Sequence, residues 1–185
     1  MTMGRIVDRQ RPLRRAEYER MIAAGLFRDE RIELIRGVIV EMSPQNEPHS
    51  SAIQALTQLL LLPLVGRAAV RVQLPFNASD DSVPEPDLAV VEPKRFKDAH
   101  PDHAFLIVEV SDPSLAFDRH DKADLYAQAN VPEYWVVNLA QAIIERRSEP
   151  VSGAYTRVTP FRAGETIAPL AFPDAGFRVD DVFGV

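Results

Sequence analysis

Alternation and helical spacing of apolar residues divide the first part of the chain into a helix and a pair of strands. Tyr18, Met21 and Ile22 recur at helical spacing within residues 14–24, so a first helix is predicted there. The stretch RIELIRGVIVEMSP alternates apolar and charged residues on both sides of Gly37. That alternation around a glycine predicts a β-hairpin.

Two further helices are predicted downstream. Residues 50–62 place apolar side chains at helical spacing, and Pro63 is expected to end this helix because proline cannot continue the backbone hydrogen bonding. Residues 118–130 repeat the helical spacing, with Asn130 as a stop signal. The chain therefore alternates helices and strands, which is typical of an α/β domain.

The remaining apolar runs predict the strands of a sheet. Two uninterrupted runs, DLAVV at 87–91 and FLIVEV at 105–110, suit central strands covered on both faces. Other strands are predicted at residues 70–76, 134–138, 142–147 and 155–159. Together the pattern predicts a central mixed β-sheet flanked by helices and preceded by an N-terminal helix and a β-hairpin.

Length and composition limit the organisation and the chemistry. With 185 residues the chain is long enough for one well-buried core, so we expect a tail at residues 1–12 and a single domain at residues 13–185. The absence of cysteine excludes disulfides, thiolate metal ligands and a cysteine nucleophile. No apolar run is long enough to predict a membrane helix or a signal peptide, so a cytoplasmic protein is expected.

The charge balance argues against a generally basic nucleic-acid binder. The net charge is −6, whereas such proteins usually carry a basic patch that replaces the counterions of phosphate groups. A local excess of arginines occurs at the N-terminus, at Arg5, Arg9, Arg11, Arg14 and Arg15. This excess is either a solvated tail or part of a local basic surface on an acidic protein.

Two acidic residues occur in the most apolar strands. Asp87 opens one buried strand and Glu109 lies near the end of the other. If the two strands are neighbours, the carboxylates meet, and two buried carboxylates require a cation or a shared proton. A hard divalent ion with oxygen ligands is the natural partner, although Glu109 alone could also be a paired acid of the core.

A lysine on the following helix could complete this site. Lys122 lies four residues after Asp118 and four before Tyr126, so the three side chains share a helical face. A lysine that faces two carboxylates and a metal could orient an attacking water or contact a phosphate oxygen. The alternative is a surface pair of Asp118 with Lys122, which would contribute only about 0.3 to 0.5 kcal/mol.

Several segments taken together resemble one known family. IELIRGVIVEMSP, the histidine at the start of the second helix, PEPDLAVV, IVEVSDPS, FDRHDKADLY and ANVPEYWVVN occur in this order. The succession is similar to the Uma2 (Uma-two) family of the PD-(D/E)xK nuclease superfamily, from about Leu13 to the C-terminus. The resemblance implies a restriction-endonuclease-like fold.

The resemblance also implies a set of site residues. It implies that Asp87 and Glu109 bind Mg²⁺ or Mn²⁺, with the backbone carbonyl of Val110 as a third ligand. Ser111 stands where the superfamily usually has its lysine. The resemblance therefore implies that Lys122 takes the lysine's role, with Asp118 and Tyr126 as helpers.

Two further residues are candidates with open alternatives. Glu33, in the hairpin, resembles an acidic element of the family, but a strand glutamate could equally be solvated or paired with Arg36. His49 could bind phosphate or assist proton transfer, or it could simply belong to the capping region of the second helix.

Two functions are consistent with these residues. The first is a metal-dependent endonuclease that hydrolyses phosphodiester bonds of DNA. The second is a nuclease-like scaffold with weak or no turnover that binds a nucleic acid or a protein. A homodimer is expected for two reasons: the sheet has unpaired edges, and cutting both strands of DNA needs two active sites. Light scattering can check this expectation.

Overall fold

The fold is built on a six-stranded mixed sheet in the order β3-β4-β5-β6-β7-β8. We analysed a computed structural model, which describes residues 11–184, so Arg5 and Arg9 of the predicted tail lie outside the described residues. The strands are β3 (Ala69–Val72), β4 (Leu88–Val91), β5 (Leu106–Ser111), β6 (Glu133–Asn138), β7 (Ile143–Val151) and β8 (Ala154–Phe161). Only β5 and β6 pair in parallel, while the other neighbours are antiparallel. The predicted central position of the two apolar runs is confirmed.

Two smaller pairs of strands stand apart from this sheet. The predicted hairpin consists of β1 (Ile32–Ile35) and β2 (Val38–Glu41), and a short pair near the C-terminus consists of β9 (Thr166–Ile167) and β10 (Phe177–Arg178). In the hairpin, the expected alternation of buried and exposed side chains is wrong for β1, where every residue is buried. Val83 pairs with the outer edge of β1 through backbone hydrogen bonds exchanged with Leu34, and its side chain packs with Ile32 and Leu34.

Helices cover both faces of the main sheet, while the first helix packs against the hairpin through Tyr18. The helices are α1 (Arg15–Ala23), α2 (Glu47–Leu64), α3 (Leu115–Phe117), α4 (Ala123–Gln128) and α5 (Asp180–Phe183). None of the helices in residues 11–184 is long and apolar enough to cross a membrane.

The second helix is longer than predicted at both ends. It begins at Glu47, where Asn46 accepts a hydrogen bond from the backbone N–H of His49, so His49 lies in the first turn rather than before the helix. The prediction that Pro63 ends the helix is wrong, because Pro63 lies inside it and the helix ends one residue later. A proline in the last turn interrupts only the final hydrogen bonds, which explains why the earlier turns are undisturbed.

The third predicted helix contains a wide turn. Between α3 and α4, residues Asp118–Lys122 form a π-helical turn, and Asn130 then ends the segment with φ of 56°. In a π-helical turn the backbone hydrogen bonds span five residues. Both end residues of this turn, Asp118 and Lys122, are buried against the sheet.

Two apolar layers cover the faces of the sheet. Helix α2 and the C-terminal segment pack against one face through Leu56, Trp135 and Val179. Helix α4 packs against the other face through Tyr126, close to Tyr134. Glu109 lies on this second face, because side chains alternate along β5 and Ile107 belongs to the layer under α4.

The hairpin turn generates a prediction about stability. Arg36 and Gly37 have φ of 48° and 76°, and a Cβ atom on Gly37 would lie 2.3 Å from Cβ and 2.8 Å from Cα of Pro12. We expect Gly37→Ala to lower the free energy of unfolding by about 2 to 3 kcal/mol, measured by urea denaturation, because the strained φ and the backbone clash add.

Gly66 provides the matched control. It has the same φ of 76°, but a Cβ atom there would meet nothing within 4 Å. Gly66→Ala should therefore lower the free energy of unfolding only by the cost of a positive φ at alanine, about 1 kcal/mol. Equal losses for the two variants would show that contact with Pro12 does not matter.

Candidate metal and active site

Asp87 and Glu109 lie side by side at one end of the sheet. Leu88 pairs with Val108 in the antiparallel register of β4 and β5, so the next residues outward, Asp87 and Glu109, are opposite each other. The Oδ2 atom of Asp87 accepts a hydrogen bond of 2.8 Å from the backbone N–H of Val110. Both side chains are buried, so the structure brings together the two acids that the sequence singled out.

Lys122 binds Glu109 rather than Asp118. Its Nζ atom lies 3.0 Å from Oε1 of Glu109 and 3.3 Å from Oε1 of Glu33, and the lysine is only 5% exposed. The alternative of a surface pair between Asp118 and Lys122 is therefore wrong. The π-helical turn places the lysine over the sheet, where it compensates two buried carboxylates at once.

Glu109 is held on one of its two oxygens. Oε1 accepts hydrogen bonds from Lys122 and, at 2.7 Å, from the hydroxyl of Tyr126. Oε2 has no hydrogen-bond partner among residues 11–184. Burial raises the pKa of Glu109, the charge of Lys122 opposes this rise, and the carboxylates of Asp87, Asp118 and Glu33 add to it, so that the pKa is raised to about 8.

The charge of Lys122 is strongly favoured. Burial by itself lowers the pKa of this ammonium, but the carboxylates of Glu109, Glu33 and Asp118 outweigh that effect and raise the pKa above its ordinary value. Lys122 therefore stays protonated and acts as a fixed positive charge, not as a proton donor. Burial likewise raises the pKa of Tyr126 well above its ordinary value, so its hydroxyl remains a donor to Glu109.

Asp118 lies behind the lysine and is held by two serines. Its Oδ2 atom accepts hydrogen bonds from Ser111 at 2.7 Å and from Ser114 at 2.6 Å. Burial raises the pKa of Asp118. Sequence reasoning missed both serines, although the segment SDPS directly after β5 offered hydroxyl groups next to the second acid.

Glu33 joins the site from the hairpin. Its Oε2 atom accepts a hydrogen bond of 3.1 Å from the backbone N–H of Glu85, and its Oε1 atom contacts Lys122. The alternative pairing of Glu33 with Arg36 is wrong, because β1 is buried on both faces and turns Glu33 toward the sheet. The contact with Glu85 ties the hairpin to the loop that leads into Asp87.

His49 reaches Asp87 from the opposite face of the sheet. Its Nε2 atom lies 3.3 Å from Oδ2 of Asp87, and the start of α2 is held there by a hydrogen bond from Asn46 to Asp112. Burial lowers the pKa of His49, but the hydrogen bond and charge of Asp87 and a hydrogen bond with the Val110 backbone outweigh it, so that the pKa is raised. His49 thus orients the first acid besides beginning the helix.

Gln73 is a further partner of Asp87 that the sequence did not reveal. Its Nε2 atom donates a hydrogen bond of 3.3 Å to Oδ1 of Asp87. Gln73 has φ of 50°, and its backbone N–H donates to the carbonyl of Asp87. A polar residue at the end of an edge strand has no distinguishing signal in the sequence.

The donors present fit a hard divalent ion that keeps water ligands. Within residues 11–184 no group of three or more histidine or acidic side chains is arranged to hold a metal ion by itself. Mg²⁺, however, is commonly bound through one or two carboxylates together with water and substrate phosphate. Asp87, Oε2 of Glu109 and the Val110 carbonyl are oxygen donors of this kind, and they line or adjoin a pocket of about 260 Å³.

Comparisons with known proteins agree with this fold. A crystal structure described as a "putative nuclease" from Anabaena variabilis superposes with a TM-score of 0.76 at 14% sequence identity, covering 94% of this chain and 98% of that one. At this identity the likeness concerns the fold, and it confirms the predicted α/β architecture. A comparison with curated proteins found no match.

The family comparison covers most of the chain. Residues 15–180 match the profile of a family described as "Putative restriction endonuclease". This match includes the hairpin, both acidic strands and the helix that carries Lys122. The chain therefore belongs to the Uma2 family.

Proposed function

We propose that this protein is a metal-dependent endonuclease that hydrolyses phosphodiester bonds of DNA. The observation that carries the proposal is the buried cluster in which Lys122 compensates Glu109 beside Asp87. Membership of the Uma2 family supports the nuclease class. The proposal adds the metal, the substrate and the roles of individual residues.

Asp87, Glu109 and the carbonyl of Val110 are the proposed ligands of Mg²⁺ or Mn²⁺. When bound, the ion would neutralise charge on the phosphate and lower the pKa of a water molecule. Tyr126 and Lys122 hold Oε1 of Glu109 and leave Oε2 for the ion. His49 and the Val110 N–H hold Oδ2 of Asp87, which restricts the rotamers of that carboxylate.

Lys122 has a second proposed role in the reaction. An ammonium group has three donors, and Glu109 and Glu33 engage two of them. The third donor is proposed to orient the attacking water, whose oxygen bonds to phosphorus while the ester P–O bond breaks. The proton that this water releases passes through solvent to the leaving oxygen. Glu33 contacts the lysine and Asp118 favours its positive charge without contacting it, so both are proposed to act through Lys122 as positioning residues.

The direct test is cleavage of plasmid and of single-stranded DNA with Mg²⁺ or Mn²⁺. We expect Asp87→Asn and Glu109→Gln each to reduce the rate at least about 100-fold, more than the loss of an outer partner of a metal ligand usually costs. Glu92→Gln is the matched control, because Glu92 is an exposed acid that follows the other end of β4. Cleavage that survives Asp87→Asn would remove the site assignment, and no cleavage by the wild type with either metal would favour the scaffold.

Lys122 also generates a prediction about stability. At pH 9, above the pKa of Glu109, Lys122→Met leaves the carboxylates of Glu109 and Glu33 buried without their cation. We therefore expect a loss of about 3 to 5 kcal/mol in the free energy of unfolding, measured by urea denaturation at this pH in EDTA. The double variant Lys122→Met/Glu109→Gln should recover part of this loss, since one uncompensated charge is gone. A change below about 0.5 kcal/mol would instead be the behaviour of a solvated pair.

The raised pKa of Glu109 predicts how metal binding depends on pH. Below about pH 8 this carboxyl carries a proton that the ion must displace, so affinity for Mn²⁺ should rise between pH 6 and pH 8, by up to about tenfold per unit. The raised pKa of His49 beside Asp87 acts in the same direction. Isothermal titration in buffers of different ionisation enthalpy would measure the affinity and the released protons, and an affinity independent of pH would contradict the prediction.

A further inference from the structure

We propose that Arg31 binds a backbone phosphate of the substrate beside the metal site. The inference rests on the proposed nuclease function and adds a residue that neither the sequence motifs nor the family description assigns. Arg31 directly precedes β1 and lines the same pocket as Asp87, Glu109 and Lys122.

The charge of the pocket requires an additional cation. Six carboxylate residues line it, namely Glu33, Glu41, Glu85, Asp87, Glu109 and Asp118. A phosphodiester carries a negative charge and would be repelled by such a wall. One divalent ion balances only two of these charges, so binding of the phosphate needs positive charge from the protein.

The other basic groups of the pocket are already engaged. Lys122 is buried between Glu109 and Glu33, and His49 contacts Asp87. Arg31, in contrast, is exposed, and within the described part of the chain its guanidinium makes no salt bridge and no hydrogen bond. Among the cations that line this pocket, Arg31 is therefore the one whose donors remain available to a ligand.

The backbone holds Arg31 in place while leaving its side chain free. Its carbonyl accepts a hydrogen bond of 2.8 Å from the backbone N–H of Met42, across the base of the hairpin. The next residue, Ile32, is buried and its carbonyl accepts a hydrogen bond from Tyr18. The backbone of Arg31 is thus fixed at the pocket, and its exposed guanidinium can move to meet a ligand.

Two further observations support an electrostatic role. Burial raises the pKa of Glu85 and the charge of Arg31 opposes this rise, so the guanidinium is near enough to act on a carboxylate of the pocket. Arg31 and Glu85 also line a larger cleft of about 760 Å³ between α1 and residues 96–100. Arg31 therefore lies at the boundary between the site pocket and this cleft. A planar guanidinium can bind two phosphate oxygens at once, which a lysine cannot do.

Binding of a fluorescein-labelled oligonucleotide tests the proposal. Anisotropy would be measured with Ca²⁺ in place of Mg²⁺, at several NaCl concentrations, for the wild type, Arg31→Ala, Arg31→Lys and Arg28→Ala. Arg28 is the matched control, because it is an exposed arginine that lines the larger cleft but not the site pocket.

We expect Arg31→Ala to weaken binding about 5- to 20-fold and to reduce the slope of log affinity against log salt by about 1. Arg31→Lys should restore the salt slope but only part of the affinity, and Arg28→Ala should resemble the wild type. Melting temperatures should be unchanged in all variants, since neither side chain supports the fold.

Three results would overturn the proposal. They are an Arg31→Ala protein that binds like the wild type with the same salt slope, an equal loss for Arg28→Ala, and a wild type that does not bind the oligonucleotide. Failure of the nuclease function has a different signature. A wild type that binds DNA through Arg31 and never cleaves it with Mg²⁺ or Mn²⁺ would leave Arg31 as a phosphate-binding residue of a scaffold.

Discussion

The buried ion pair between Lys122 and Glu109 is the interaction on which the rest of the site depends. Two charges removed from water are tolerated only where their geometry is good and their remaining donors and acceptors are satisfied. Here Tyr126 and Glu33 supply two such partners, while Oε2 of Glu109 and the third N–H of Lys122 are left for the proposed ion and water. Because the lysine comes from a helix, one acid from the sheet and the other from the hairpin, a single cluster fixes the relative position of three parts of the fold.

The same cluster explains the unusual local structure around it. The π-helical turn carries Lys122 and Asp118, and such turns are frequent at functional sites. In the hairpin, Glu33 is buried in contact with Lys122 and the backbone N–H of Glu85. Both features accompany charged groups in the interior of the fold.

Much of the sheet and the central pair of acids could be predicted from the sequence. DLAVV and FLIVEV are apolar runs that suit central strands, and an acid inside such a run stands out. Once the two strands are taken as neighbours in the sheet, Asp87 and Glu109 are expected to lie close together. Features that depend on other segments could not be predicted in this way. The course of the helix through Pro63 depends on where the last turn falls, and the burial of Glu33 depends on contacts with a distant lysine and with the backbone of Glu85. Arg31 has no signal at all, since an arginine before a strand is ordinary.

The acidic character of the chain is compatible with a phosphate substrate because charge acts locally. Three basic residues, Arg31, His49 and Lys122, line the pocket together with its carboxylates. The net charge of −6 is a property of the whole chain and does not describe the charge at this site. Nearby charges in a partly buried pocket interact more strongly than exposed charges in water. A bound divalent ion would therefore change the electrostatic potential in the pocket far more than its two charges change the behaviour of the chain as a whole.

The most direct measurement of the central claim is anomalous diffraction from crystals soaked in Mn²⁺. The account predicts one strong peak about 2.1 Å from a carboxylate oxygen of Asp87 and from Oε2 of Glu109, with Lys122 still bound to Oε1. A peak that contacts only one of these acids, or no peak in a crystal whose pocket is open to solvent, would contradict it.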